Sequence, residues 1–221
     1  MENLIDIRRY SGEFHEINVQ GLKRICPLHK VDTEMWIVGN EHLSFGTDIE
    51  FTQKAGNDLA KRLEVFESDC ILTPEAKSLG ITYEVAKGLG HRDYAIARKS
   101  VKPYDKNYVS SEIRSITTAK EEKLYLDDLN IKRIRGKRII LLDDVISTGN
   151  TMHGLMELAE RSQAEVCAIA AVWLEGHWPF EQFAKEFKSG RLVFMGILPI
   201  FAEGATYEKL YSKQLYYEKN D

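Results

Sequence analysis

The sequence predicts an α/β fold in which a parallel sheet is flanked by helices. Short apolar stretches typical of buried strands alternate with longer stretches of helical periodicity, and this alternation places helices on both faces of a parallel sheet. The chain has 221 residues, of which 43% are hydrophobic, which is enough for one sizeable core. We therefore expect a single domain, residues 1–221, with a core over about 47–200 and a small cap, or hood, built from about 1–46 and 200–221.

The first helix of this core is predicted from its start signal. Thr47-Asp48-Ile49-Glu50 is a capping-box pattern, and the apolar residues that follow keep helical spacing, so we expect a helix over 48–66. Continuous apolar runs and their flanking glycines place the remaining elements. The predicted strands are 70–72, 94–97, 138–142, 166–174 and 192–198, and the further helices are 79–89, 149–161 and 180–187.

Two regions do not follow the alternation. The first 45 residues form no clean strand-helix unit, which is why we assign them to the cap. Residues 99–120 are rich in Lys, Tyr, Asp, Ser and Thr, with Val109, Ile113 and Ile116 as their apolar anchors. A connection of this length inside a compact domain is often a lid or a binding loop, and this one could form a hairpin.

Composition excludes several classes of function. The net charge is −4 with acids and bases interspersed, so no broad basic face is available for nucleic acid. No stretch approaches the roughly 18 uninterrupted apolar residues of a membrane span, and no targeting segment opens the chain. The three cysteines are widely spaced in or beside apolar stretches, which predicts buried thiols. We expect a cytoplasmic protein that contacts neither membrane nor nucleic acid.

The strongest chemical signal is an apolar strand that runs through two acids into a hydroxyl-rich turn opening a helix. The strand places Asp143 and Asp144 at the carboxyl edge of the sheet, where parallel sheets bind ligands. Two carboxylates there can accept hydrogen bonds from vicinal hydroxyls, and the N–H groups of a helix N-terminus favour a phosphate dianion. The segment therefore predicts a site for a ribose 5-phosphate. The predicted site residues are Asp143, Asp144, Val145, Ile146, Ser147, Thr148, Gly149, Asn150 and Thr151.

Alternative interpretations of these acids can be compared with the sequence. Paired acids after a strand could simply cap the next helix. An aliphatic run ending in Asp-Asp also resembles the magnesium-binding strand of P-loop nucleoside triphosphatases, but the chain contains no G-x-x-x-x-G-K-[ST]. A dinucleotide fold requires G-x-G-x-x-G, whereas Gly88-Leu89-Gly90 is followed by His91, Arg92 and Asp93. Both nucleotide-site alternatives are therefore excluded.

The aliphatic run, the two acids and the loop ending in Thr148-Gly149-Asn150-Thr151 together resemble the signature of the type I phosphoribosyltransferases. The resemblance covers roughly residues 47–200 and is closest to the adenine branch. It implies transfer of the 5-phosphoribosyl group of phosphoribosyl pyrophosphate (PRPP) to a purine, with adenine favoured, and release of pyrophosphate, a step of purine salvage. It also implies Mg²⁺ held mainly by PRPP and water rather than by protein ligands, and a homodimer.

The resemblance also implies roles for individual residues. Asp143 and Asp144 would lie near the cation that develops on the ribose. A loop after the strand at 70–72 would bind pyrophosphate through Glu75, Ala76 and Lys77, and the pair Arg98 and Lys99 would add cationic contacts. The segment 99–118 would close over PRPP, and Glu112 within it would act as the acid/base for the purine.

The sequence departs from the family pattern at three places, and at one of them the loop 99–118 lacks the glycine-rich start that is usual in adenine members. Lys77-Ser78 stands where adenine members tend to have Arg-Gly. Ser147 stands where the hypoxanthine-guanine branch commonly has an aspartate, which moves the handling of the proton to the mobile loop or to water. Two alternatives stay open: a PRPP-binding regulator without catalysis, and an enzyme for another base, such as hypoxanthine/guanine, xanthine or orotate.

Overall fold

The computed structural model describes residues 4–40, 45–114 and 121–220. Its strands are β1 (Ile7–Arg9), β2 (Phe14–Val19), β3 (Leu22–Asp32), β4 (Met35–Val38), β5 (Cys70–Pro74), β6 (Ala95–Ala97), β7 (Tyr108–Arg114), β8 (Glu121–Asp127), β9 (Arg138–Ile146), β10 (Glu165–Glu175), β11 (Leu192–Leu198) and β12 (Ile200–Ala202). Its α-helices are α1 (Ile49–Leu63), α2 (Leu79–Gly88), α3 (Asp128–Ile134), α4 (Asn150–Arg161), α5 (Trp178–Gln182), α6 (Ala184–Lys188) and α7 (Gly204–Asn220).

A parallel five-stranded sheet forms the centre of the molecule. Its strand order is β11-β10-β9-β5-β6, and each neighbouring pair is parallel. Parallel neighbours need crossover connections, and the helices between these strands supply them. The predicted fold class is therefore confirmed.

Strand β9 separates two hydrophobic cores. Ile139 and Leu141 belong to the core that includes α4, whereas Ile140 and Leu142 belong to the core that includes α1 and α2. All four side chains are fully buried, because consecutive residues of a strand point to opposite faces and both faces are covered. Burying each such side chain contributes about 1.5–3 kcal/mol, so the middle of β9 is a firm support for the residues that follow it.

A second sheet is built from the segments predicted to form the cap. Its order is β1-β12-β4-β3-β2; β1 and β12 are parallel and the other pairs are antiparallel. Helix α7 is joined to its edge by a hydrogen bond of 3.3 Å, which the N–H of Ile7 donates to Oε1 of Gln214. Distant parts of the chain therefore meet in this layer.

The predicted hairpin is present in the long polar segment. Strands β7 and β8 pair antiparallel from Tyr108↔Asp127 onward, and the hairpin lies against α4 at Gly154. A Cβ added at Gly154 would lie 3.1 Å from Oγ of Ser111 and 3.2 Å from Cγ1 of Ile113, so the glycine permits this close approach. Residues 115–118 of the predicted lid lie outside the described residues.

Several boundaries differ from the prediction. Helix α1 is capped by Asp48, whose side chain accepts a hydrogen bond of 3.0 Å from the N–H of Phe51, so the cap lies one residue later than the Thr47 pattern implies. Strand β9 continues to Ile146 because its acids still pair with β10. The helix predicted over 180–187 is divided at Phe183, where the backbone leaves helical geometry.

The chain between β8 and β9 contains a helix outside the predicted elements. Helix α3 was not predicted; it begins at the N-cap Asp127, whose side chain accepts from the N–H of Asn130. The three cysteines are free and buried, as predicted. Among the described residues, none of the helices combines the length and the apolar character needed to cross a membrane.

Candidate functional site

The two acids of β9 lie side by side in a largely buried position. Asp143 and Asp144 are each 8% exposed, and the N–H of Asp144 donates to Oδ1 of Asp143 at 2.9 Å. Burial, followed by the neighbouring charge of Asp144, raises the pKa of the Asp143 carboxyl well above its ordinary value, and Lys77 opposes this rise. Asp143 therefore keeps its proton to a higher pH than an exposed aspartate would.

The turn after β9 forms the first of two cavities. Gly149 has φ +82°, a left-handed conformation that favours glycine, and a Cβ there would lie 2.9 Å from the ring of Phe183. The turn leads directly into α4, whose free N–H groups and dipole favour an anion. The cavity measures about 120 Å³ and is lined by Asp143, Val145, Ile146, Ser147, Thr148, Gly149, Asn150, Thr151 and Met152.

A second cavity of about 160 Å³ adjoins the first. The two share Asp143 and Thr151. Its full lining is Pro74, Glu75, Ala76, Lys77, Lys99, Ile113, Leu124, Asp143, Asp144 and Thr151. The structure thus brings together residues from three predicted segments, because the carboxyl ends of β5, β6 and β9 meet at one edge of the sheet.

Glu75 joins two of these segments. Its Oε1 accepts a hydrogen bond of 2.7 Å from the N–H of Lys99, and its own N–H donates to the carbonyl of Ala97 at 2.9 Å. The peptide bond between Glu75 and Ala76 is cis. Glu75 therefore links the loop after β5 to the end of β6, and both lysines of this region, Lys77 and Lys99, line the same cavity.

A chain of buried hydroxyls holds the loop after β5. Oγ1 of Thr82 donates to Oγ1 of Thr73 at 3.0 Å, Thr73 donates to Oγ of Ser78 at 2.8 Å, and Ser78 donates to the carbonyl of Pro74 at 2.9 Å. All three hydroxyl residues are fully buried. Each hydroxyl donates once, so the chain is complete in one direction. Ser78, which departs from the family pattern, therefore has a structural role in this loop.

Arg98 lies outside both cavity linings. Its Nη2 contacts Oδ2 of Asp105 at 3.0 Å and also Oδ2 of Asp127, with the guanidinium only 17% exposed. Arg98 therefore ties the connection after β6 to the N-cap of α3, and this position does not support its predicted contact with pyrophosphate.

Glu112 lies on the face of the hairpin opposite to the cavity. Its neighbour Ile113 lines the second cavity, whereas the side chain of Glu112 is 56% exposed and pairs with Nζ of Lys123 at 3.2 Å. Alternation along β7 explains the difference. The role of Glu112 as acid/base stays a prediction, and this placement does not bring its carboxylate to the other site residues.

Glu175 is a third buried carboxyl at the site and was not predicted. It ends β10, is 5% exposed and lies beside Ser147, since the residues before them, Leu174 and Ile146, are paired. Burial raises the pKa of the Glu175 carboxyl to about 7; the bond from Ser147 and the charge of Lys77 oppose the rise, and the charge of Asp144 adds to it. The sequence offered only a weak signal: the apolar run 166–174 is followed by this acid, as the run 139–142 is followed by Asp143.

The similarity of this chain to known proteins includes the segment that contains the cavity residues. The family model for the phosphoribosyl transferase domain matches residues 51–189. Xanthine phosphoribosyltransferase 1 of Clostridium perfringens is 25% identical over 177 residues, which cover 80% of this chain and 87% of that protein. Adenine phosphoribosyltransferase of Thermosipho africanus is 30% identical over 129 residues, covering 56% of this chain and 69% of that protein.

The fold is shared with solved structures at low sequence identity. The crystal structure of adenine phosphoribosyltransferase from Thermoanaerobacter pseudethanolicus superimposes with a TM-score of 0.58 at 19% identity. The match covers 84% of this chain and 95% of that chain. Fold and sequence comparisons therefore agree on the part of the chain that carries both cavities.

Proposed function

This chain belongs to the phosphoribosyltransferase family, and we infer that it transfers the 5-phosphoribosyl group of PRPP to a purine base and releases pyrophosphate. The observation that carries the proposal is the pair of adjoining cavities. PRPP has a phosphate at one end and a pyrophosphate at the other, joined through a ribose with vicinal hydroxyls. One cavity opens on the start of α4, the other contains two lysines, and Asp143 lies between them.

The proposed binding mode follows from charge and donor type. The 5-phosphate would accept hydrogen bonds from the N–H groups of 147–151 and from the hydroxyls of Thr148 and Thr151, with the α4 dipole favouring its negative charge. The ribose hydroxyls would donate to Asp143 and Asp144. Lys77 and Lys99, with the N–H of Ala76, would bind the pyrophosphate, because cationic donors form the stronger bonds to phosphate oxygens.

The proposed mechanism is mainly positioning and electrostatic stabilisation. As the bond from C1 to the pyrophosphate oxygen breaks, the ribose ring gains positive charge and the leaving group gains negative charge. Asp144 lies where its carboxylate can stabilise the ring, and the two lysines stabilise the leaving group. The hairpin β7–β8, through Ile113 and Leu124, covers one wall of the second cavity and limits access of water.

The site suits a magnesium ion that binds together with PRPP. Among the described residues, no group of three or more His, Cys, Asp or Glu side chains is placed to hold a metal. Mg²⁺ usually takes one or two carboxylates and completes its shell with phosphate oxygens and water. Asp144, beside a neighbour whose pKa is raised, is the residue that suits this role. When bound, the ion would neutralise charge on the pyrophosphate.

Two purines are favoured by the similarity to known proteins. The resemblance to the adenine branch favours adenine, and the fold comparison includes an enzyme of that name. The curated relatives include enzymes named for xanthine and for adenine. We therefore propose adenine as the first base to test and xanthine as the second.

We also propose that the chain forms a homodimer in the cytoplasm. In the family, many members associate near the pyrophosphate loop, and here Tyr83 on α2, which follows that loop, is 58% exposed. An exposed aromatic at that position suits an interface between copies. Light scattering after size exclusion would give the mass directly; a monomer at micromolar concentration would contradict the proposal.

The function is tested by measuring pyrophosphate release from PRPP and Mg²⁺ with adenine, hypoxanthine, guanine, xanthine and orotate in turn. Asp144→Asn and Glu112→Ala are assayed alongside. Asp128→Asn is the matched control, since Asp128 is half exposed and pairs with Lys132 on α3, away from both cavities. We expect turnover with one purine, lost in Asp144→Asn and retained in the control. Absence of turnover with every base, together with tight PRPP binding by calorimetry, would contradict the proposal and favour a PRPP-binding regulator.

A further inference from the structure

Glu175 is a buried carboxyl that the mechanism above does not use. Strands β9 and β10 are paired up to Leu174↔Ile146, so the next residues, Glu175 at the end of β10 and Ser147 just after β9, lie side by side. The Ser147 hydroxyl, as a hydrogen-bond donor, lowers the pKa of the neighbouring Glu175 carboxyl. Only 5% of Glu175 is exposed, although it carries a group that normally prefers water.

Glu175 lines neither cavity itself, but neighbouring residues line both. Ser147 lines the first cavity, and Asp144 and Lys77, whose charges both act on Glu175, line the second. On the other side β11 presents Leu198 in register, an apolar residue. C1 of PRPP is the atom that joins the two halves of that molecule, so Glu175 is close to the region where the purine must bond.

His177, two residues further on, does not compete for this role. Its Nε2 lies 3.0 Å from Nζ of Lys213 on α7, and Glu181 lies at 3.9 Å. Burial, with the charge of Lys213 next, lowers the pKa of the His177 imidazole, which therefore stays neutral at neutral pH. The carboxyl beside Ser147 whose pKa is raised to about 7 is that of Glu175.

Transfer to a purine requires an acceptor for one proton, because the ring nitrogen that bonds to C1 starts with a hydrogen. We propose that Glu175, acting through the hydroxyl of Ser147, receives this proton. The inference rests on the proposed function. It assigns the handling of the proton to the end of β10 rather than to the hairpin that carries Glu112.

The step balances without a further reactant. The lone pair of the ring nitrogen forms the bond to C1, and the bond from C1 to pyrophosphate breaks with its electron pair on the leaving oxygen. The nitrogen passes its proton to Oγ of Ser147 while the proton of that hydroxyl moves to the Glu175 carboxylate. Glu175 later releases the proton to water. An acceptor whose pKa lies near the working pH suits this task.

The test is the pH dependence of kcat for the whole protein, with PRPP, Mg²⁺ and the purine that is turned over fastest. Glu175→Gln is the main variant, because its amide oxygen still accepts the bond from Ser147 but cannot take a proton. Ser147→Ala removes the hydroxyl through which the proton would pass to Glu175. Glu165→Gln is the matched control, since Glu165 lies at the opposite end of β10, is exposed and pairs with Arg138.

We expect kcat of the unmodified protein and of Glu165→Gln to rise with pH through about 7. In Glu175→Gln this rise should be absent, and at about pH 8 kcat should be lower by about 100-fold, the usual size of a general-base contribution. The KM for PRPP should change by less than about threefold, because the lost interaction belongs to the transition state. A residue that only held the turn would leave the pH profile unchanged.

Each result bears on a separate claim. If Glu175→Gln keeps the rise near pH 7, or keeps kcat within about threefold of normal, the inference is overturned while the proposed function stands. If Glu175→Gln fails to fold by circular dichroism, Ser147→Ala decides, and normal kcat in that variant overturns the inference. If the unmodified protein turns over no base, the proposed function is overturned, and this inference with it.

Discussion

Replacing Thr73 by valine should destabilise the protein through hydrogen bonds alone. Valine has the shape of threonine and keeps the β-branched side chain that suits β5, so the change opens no cavity. It removes the acceptor of the Thr82 hydroxyl and the donor to Ser78, both of which are fully buried. A buried donor left without a partner costs about 1–3 kcal/mol.

The expected loss is about 2–4 kcal/mol in the free energy of unfolding, combining the orphaned Thr82 donor with the weaker loss at Ser78. This is a large share of the total stability of a typical domain, about 5–15 kcal/mol. Urea unfolding followed by circular dichroism measures it, provided that the slope with urea is unchanged. Thr33→Val, in an exposed turn, is the matched control and should stay within about 0.5 kcal/mol of the unmodified protein.

The double variant Thr73→Val/Thr82→Val separates this cause from a general loss of packing. Removing Thr82 as well removes the orphaned donor, so the double variant should be about 1 kcal/mol more stable than Thr73→Val alone. A loss in Thr73→Val no larger than in the control, or additive losses in the double variant, would refute the reasoning.

Three further predictions address the site. Gly149→Ala should cost about 1–2 kcal/mol and weaken PRPP binding in calorimetry, because of the positive φ and the approach to Phe183; unchanged affinity would contradict this. Glu175→Gln should stabilise the protein to urea by up to about 3 kcal/mol above pH 7. A raised pKa in the folded state makes stability fall as pH rises from about 4.5 to 7, so the gain should vanish below that window, and a constant gain would argue against it. Arg98→Met should lower stability by about 2 kcal/mol, since it removes the cation beside the partly buried acids Asp105 and Asp127, with little change in the KM for PRPP; a large rise in that KM would support the predicted pyrophosphate contact.

The cavity around 143–151 could be predicted from sequence because its residues are contiguous. Strand, turn and helix follow one another there, so local patterns determine their geometry. Glu175 could not be found in this way, since its partner Ser147 is 28 residues distant and becomes a neighbour only through the pairing of β9 with β10. The same reason explains why the second sheet was expected only as an undefined cap: Ile7 pairs with Ile200.

The positions of the Arg98 and Glu112 side chains could not be predicted without the register of the hairpin. A basic residue at a strand end is often a ligand contact, but the partners of Arg98 come from later parts of the chain. For Glu112, sequence alone does not show which residues of a two-faced strand point inward. A shift of one residue would exchange Glu112 and Ile113, and only the pairing with β8 determines the face of each.

The register of strand β9 likewise decides on which face of the sheet each of its side chains lies. Its run Ile139-Ile140-Leu141-Leu142 is apolar at every position, so hydrophobicity does not distinguish odd from even residues, and a slip of one position would exchange the environments of the two acids. A contact at the beginning of the strand supports this register. Asp69 receives the N–H of Arg138 at 2.9 Å and donates its own N–H to the Arg138 carbonyl at 2.8 Å. Asp69, at the end of β9 opposite to both cavities, thus helps to fix the register that brings Asp143 and Asp144 to the second cavity.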